Sequence, residues 1–190
     1  MVDLFGDLPV VPGFEYLPDF LSDAEETDLL ALLLKLPLHP FQFHGYEARR
    51  NVESFGCDYS FDDNRLRPGK PIPESFMPLI RRVATTLGID VSEIRELLVT
   101  EYPEGAQINW PRDAFPFEII AGVSLLSDCT FRFRPFEKAK QGRKSIRSQI
   151  VGRRSLYVMR DEARTQWQHS ILPVSSRRYS ITLRTLRVAG

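Results

Sequence analysis

The stretch from Leu97 to Arg187 limits the fold more than any other part of the chain. Short segments rich in β-branched and aromatic residues alternate there with turn residues at near-regular spacing, as antiparallel strands joined by short connections do. Six strands are expected, at approximately Leu97 to Tyr102, Glu118 to Leu126, Thr130 to Arg134, Ser145 to Val151, Ser155 to Met159 and Arg178 to Arg187. The run Thr130-Phe131-Arg132-Phe133-Arg134 alternates as a strand with one wet face should.

Helical signals come earlier. Ser22 followed by Glu25 makes a capping box ahead of an apolar run that stops at Pro37, which predicts a helix over roughly 23 to 35. A second helix is expected from about Glu74 to Leu87, with Pro78 near its start and Gly88 as its stop, and a short helical turn from Val91 to Glu96. Helices first and strands afterwards, without βαβ alternation, predict a mainly β, α+β chain. Its core should be a double-stranded β-helix, or jelly roll, braced by N-terminal helices. Between them, Phe41 to Pro68 interleaves aromatics with charges and turn residues, which suits paired strands in a mobile flap.

With 190 residues and 43% hydrophobic content, the chain is expected to form a single domain around one substantial core. Within residues 1–190, about 1–96 would supply helical support and the flap, and about 97–187 the jelly roll. No uncharged apolar run of about eighteen residues occurs, and the N-terminus carries acids where a signal peptide needs basic residues. A soluble, cytoplasmic protein without membrane contact is expected, acting as a monomer. Cys57 and Cys129 stand far apart and are read as buried thiols.

The net charge is zero, but its distribution is uneven. Met1 to Leu34 holds eight acids and no Lys or Arg, whereas Arg132 to Arg154 holds nine basic residues against the single acid Glu137. Such a basic stretch either neutralises phosphates or forms an ordinary solvated hairpin.

Strand alternation in Arg178-Tyr179-Ser180-Ile181-Thr182-Leu183-Arg184 puts Arg178, Ser180, Thr182 and Arg184 on one face. The two arginine Cα atoms would lie roughly 20 Å apart, so inward-leaning guanidiniums could bracket something short, such as a dicarboxylate. Taken alone, the pattern also suits an edge strand with ordinary surface charges.

The segments TEYPEGAQINWPRD, GVSLLSDCTFRFR, RSLYVMRDEARTQWQHSI and RRYSITLRTL, in this order, resemble the AlkB family of nucleic-acid dealkylating dioxygenases from about residue 97 to 187. The stretch FQFHGYEARRNVESFG resembles that family's substrate-binding flap. The resemblance implies an iron(II) site of the His-x-Asp plus distal His type, with open positions for 2-oxoglutarate and oxygen. Asp113 would be the carboxylate ligand and His169, fifty-six residues further on, the distal imidazole, so these two are the candidate metal and catalytic residues. The remaining histidine position falls on Pro111, whose nitrogen is tied up in the peptide bond.

For 2-oxoglutarate, the resemblance implies Arg178 at the distal carboxylate and Arg184 near the keto-acid end. Tyr102 would be a hydroxyl donor, with Thr100 and Ser180 at positions where some members use asparagine. Phe43, His44, Tyr46, Arg49, Arg50 and Phe55 would contact a splayed-out base and its phosphates. The chain has three histidines, so only His39 and His44 could replace the missing imidazole; otherwise water fills the third position. Two functions follow. One is oxidative dealkylation of nucleobases in DNA or RNA with a weakened metal site. The other is a catalytically impaired relative that binds nucleic acid or 2-oxoglutarate.

Overall fold

The computed structural model describes residues 9–43, 45–60, 63, 65–110 and 114–187. In chain order the elements are β1 (Phe14–Leu17), α1 (Asp23–Leu33), β2 (His39–Phe43), β3 (Tyr46–Ser60), β4 (Arg65–Pro68), α2 (Met77–Leu87), β5 (Ile94–Tyr102), β6 (Phe117–Leu125), β7 (Cys129–Pro135), β8 (Arg147–Val151), β9 (Leu156–Met159), α3 (Asp161–Thr165), β10 (Trp167–Ile171) and β11 (Arg178–Leu186). Short 3-10 turns at Glu74–Phe76 and Val91–Glu93 lead into α2 and β5.

Eight strands make one sheet in the order β1-β9-β6-β11-β5-β3-β2, with β4 paired to β3; a smaller sheet runs β10-β7-β8. Every strand pairing is antiparallel. The two sheets enclose the core of a jelly roll, and the helices lie on the outer face of the larger one, as expected.

Both helices bear out their sequence signals. At α1 the Ser22 hydroxyl accepts from the Glu25 amide at 3.2 Å while the Glu25 carboxylate accepts from the Ser22 amide at 2.8 Å. α2 ends at Gly88, whose φ of 68° is the left-handed conformation that closes a helix with little strain for glycine. Leu29, Leu33, Leu79, Ile80 and Val83 pack on Leu97, Val99, Val123, Leu125, Ile181 and Leu183 of the large sheet. A second apolar cluster lies between the sheets and includes Phe14, Phe131, Phe133, Tyr157, Met159 and Ile171.

Several boundaries differ from expectation. The turn after α2 stops at Glu93, and the strand begins at Ile94 because Ile94 and Leu97 are buried in the helix-facing core. β8 starts at Arg147, since Ser145 closes a turn by donating to the Gly142 carbonyl at 2.8 Å. β1, α3 and β10 were not anticipated. The middle segment does contain paired strands, β2 and β4 each pairing with β3, which is fifteen residues long. Its residues Asn51 to Gly56 pair with β5 inside the large sheet.

The uneven charge is partly resolved internally. Glu26 of α1 is 1% exposed, accepts from the Leu126 amide at 2.8 Å and is paired by Arg153. Arg154 pairs with Asp23. One end of the basic stretch thus docks the acidic N-terminal helix onto the β6–β7 and β8–β9 connections.

Candidate active site between the two sheets

A cavity of about 740 Å³ opens between the sheets, and its walls come from β3, β5, β6, β7, β9, β10, β11 and the 105–110 connection. Register explains its floor. β9, β6, β11 and β5 are successive neighbours, and residues in one cross-strand row point to one face. Tyr102 lies opposite Arg178, Thr100 opposite Ser180, and Ser180 opposite Ser124. The next row is Tyr157, Gly122, Thr182 and Leu98, followed by Met159, Ile120, Arg184 and Glu96. The alternate residues Tyr179, Ile181 and Leu183 face the helices. β11 is therefore central in the sheet, which removes the edge-strand alternative for its arginines.

Arg178 is 0% exposed. Its Nε donates to Ser124 Oγ at 3.1 Å, and its guanidinium carbon lies 4.9 Å from the centre of the Tyr102 ring. Its terminal nitrogens, Nη1 and Nη2, are buried without a hydrogen-bond partner among the described residues. A guanidinium stays protonated in a protein, and leaving its donors unmet in a dry interior is costly. Two parallel donors of this kind fit a carboxylate.

Arg184 stands differently. It lines the cavity, but its Nη1 donates to Glu96 Oε2 at 2.8 Å and its guanidinium lies over the Phe117 ring at 4.9 Å. The chain thus provides Arg184 with a carboxylate of its own. Glu96 is 3% exposed, and burial pushes its carboxyl above the usual range while Arg184 and Ser54 pull it back.

On the opposite wall, β10 brings His169 to the cavity, with its ring stacked on Phe131 at 5.9 Å and an interplanar angle of 14°. Gln168, facing the other way, donates to the Trp110 carbonyl at 3.1 Å and accepts from Arg134 Nε at 2.8 Å. The Trp110 ring lies 4.5 Å from the Arg134 guanidinium and 5.0 Å from that of Arg132. These contacts hold the chain immediately before Pro111. Pro111 and Asp113 themselves lie outside the described residues, as does His44. His39 lines a neighbouring recess of about 570 Å³, not this cavity.

Thr100 and Tyr102 line the cavity, and Ser180 is buried beside them at 1% exposure. Arg49 and Arg50 lie at the cavity wall, and Arg50 covers the Phe41 ring at 4.1 Å. The side chains of Phe43 and Tyr46 lie outside the described residues. Phe55 is a correction. In register with Leu97, it points into the helix-side core, where its ring meets Phe76 at 6.5 Å. Sequence reasoning missed Tyr157, whose only sequence signal is the glycine at 122 that turns out to lie across from it.

A two-sheet jelly roll with a histidine in its cavity, and a buried arginine beside that cavity whose terminal donors are unmet, has the makings of a site for a small carboxylate. The chain belongs to the 2OG-Fe(II) oxygenase superfamily, whose sequence profile matches residues 13–188. Within that superfamily it is similar to AlkB-type proteins. It is 28% identical over 215 residues to the alkylated DNA repair protein ALKBH8 homolog of Arabidopsis thaliana, a match covering 93% of this chain and 59% of that protein. The chain therefore spans less than two thirds of the length of this curated relative. The structure of OsALKBH1 shares the fold with a TM-score of 0.73 at 13% identity, over 92% of this chain and 97% of that one.

The superfamily uses iron(II) and 2-oxoglutarate. The unmet donors of Arg178 fit the carboxylate of 2-oxoglutarate. For iron, the cavity offers His169 among the described residues.

Proposed function

We propose that this protein is an iron(II)- and 2-oxoglutarate-dependent dioxygenase that removes N-alkyl groups from nucleobases of DNA or RNA, with a metal site weakened by Pro111. The observation that carries this reading is the buried Arg178, with two unmet donors and in register with Tyr102, which lines the same cavity as His169. His169 and Asp113 would hold the metal, one protein ligand fewer than the facial arrangement provides. When bound, iron(II) and 2-oxoglutarate supply the oxidation: one atom of O2 enters the keto acid, giving succinate and carbon dioxide, and the other enters the N-alkyl carbon.

The chain's own contribution is positional. Arg178 holds the distal carboxylate, and Tyr102 donates to the same ligand. Phe131 fixes the His169 ring by stacking. Ile108, Ile120, Met159 and Ile171 keep water from the reacting end. Arg49, Arg50 and Phe41 sit where an extruded base and its flanking phosphate would enter. Beyond the cavity, Lys138, Lys140, Arg143, Lys144 and Arg147 are exposed or half-exposed on the β7–β8 hairpin and would track a phosphate backbone. The protein would act as a single-domain monomer in the cytoplasm.

The test is incubation of the full chain with iron(II), 2-oxoglutarate and oligonucleotides bearing N-methylated bases. Demethylated base and aldehyde in step with succinate are expected. If 2-oxoglutarate binds but neither succinate nor aldehyde forms at any iron concentration, the chain is a binding protein on the same fold.

A further inference from the structure

We propose that Tyr157, seated over Gly122, is a second hydroxyl donor to the carboxylate held by Arg178, so that this anion recess is built by a tyrosine and glycine pair. The inference rests on the reading of the cavity as a 2-oxoglutarate site.

Tyr157 stands on β9 directly across from Gly122 of β6, and Gly122 in turn lies opposite Thr182 of β11. A Cβ added at Gly122 would fall within the Tyr157 ring, closest to Cζ, the hydroxyl oxygen and Cε1. The ring therefore lies flat across the β6 strand instead of standing off the sheet, and only glycine leaves room for it. Neighbouring strands are about 4.8 Å apart, so a tyrosine laid across one strand brings its hydroxyl to the next. The hydroxyl accordingly interacts with Thr182. It lies over Gly122 of β6, on the sheet face that Thr182 and Arg178 share, and the charge of Arg178 acts on it.

Tyr157 is 4% exposed yet lines the cavity. A buried tyrosine normally finds a partner for its hydroxyl, and here the ring covers Gly122, two residues along β6 from the Ser124 that accepts from Arg178 Nε. A leucine or phenylalanine would fill the same apolar space between Phe14 and Phe131, whose ring centres lie 6.4 and 4.8 Å away. The added feature is a proton donor at the charged end of the cavity.

The experiment is calorimetric titration of the full chain with 2-oxoglutarate, under anaerobic iron(II), for wild type, Tyr157→Phe, Gly122→Ala, Gly122→Ala/Tyr157→Leu and Arg178→Met. Tyr157→Phe keeps the ring and should weaken binding about tenfold, as loss of a hydrogen bond to a charged group does. Gly122→Ala should weaken binding and lower Tm, because the ring is displaced. The double variant should recover Tm without recovering affinity. Binding by Tyr157→Phe within twofold of wild type, with Arg178→Met abolishing it, would overturn the role of Tyr157 alone. Unchanged binding by Arg178→Met would overturn the cavity reading and, with it, the inference.

Discussion

β11 and β7 each carry arginines on one face, and those arginines end in opposite environments. On β11, Arg178 is sealed inside the large sheet with two donors unmet. On β7, Arg132 and Arg134 sit half-exposed on the outside of the small sheet, against Trp110 and with their Nε atoms bonded to Ser170 and Gln168. Both strands alternate polar with apolar residues, with arginines among the polar ones. The difference lies in what covers each face: β11 has a second sheet above it, while among the described residues the outer face of β7 has neither a sheet nor a helix over it. A charge left unpartnered in a dry interior points to a ligand. A charge stacked on an aromatic at the surface points to contact with an extended partner.

Five variants would break or sharpen that contrast. The largest effect is expected at Arg178→Met, which should reduce 2-oxoglutarate affinity about a hundredfold or more. Because methionine removes a buried charge whose terminal nitrogens are unmet, Tm without ligand should stay the same or rise. The thermal shift induced by 2-oxoglutarate would then vanish; its persistence would place the ligand elsewhere.

Next in size is the exposed hairpin. Replacing Lys138, Lys140, Arg143 and Lys144 together by alanine should lower the salt slope of nucleic-acid affinity by about 1 to 3 units, leaving 2-oxoglutarate affinity unchanged. Arg153 and Arg154, engaged with Glu26 and Asp23, should behave otherwise. Their replacement should reduce stability and leave the slope alone. Equal slopes for the two sets would erase the distinction between hairpin and helix clamp.

A smaller effect belongs to Glu96. Its folded-state pKa is raised by burial, so the protonated form favours folding. That stabilisation is complete below the ordinary glutamate range and is lost as pH rises through the raised value. Denaturant midpoints from about pH 5 to 8 should therefore fall less steeply in Glu96→Gln than in wild type. A steeper fall in the variant would mean that the Arg184 pair, not burial, governs this carboxyl. The smallest effect is expected at Ser22→Ala, which removes the cap of α1 and should cost about 1 kcal/mol in urea denaturation without touching ligand binding.

The sequence revealed those features that local chemistry determines. The Ser22 and Glu25 box placed α1, Gly88 placed the end of α2, and alternation separated the cavity face of β11 from its helix face. What it hid depended on pairing between distant strands. Trp167-Gln168-His169-Ser170-Ile171 mixes apolar and polar residues too evenly to show a period. It becomes β10 only because His169 and Ile171 face inward beside Phe133 and Phe131. Phe55 looked like a flap aromatic until its register with Leu97 turned it into the core. Tyr157 read as an ordinary strand aromatic, since nothing local indicates that Gly122 lies beneath its ring. The charge imbalance of the N-terminal helix was visible, but its partners, Arg153 and Arg154, are more than a hundred residues away.

The central claim is the proposed asymmetric site: an anion end built on Arg178, and a metal end one protein ligand short at Pro111. The most direct measurement compares wild type with Pro111→His for iron(II) affinity, 2-oxoglutarate affinity and succinate formation. The account predicts that the variant binds iron about tenfold or more tightly and forms succinate faster, with the Arg178-dependent part of 2-oxoglutarate binding unchanged. A wild-type chain that binds iron as tightly and turns over as fast as Pro111→His would contradict it.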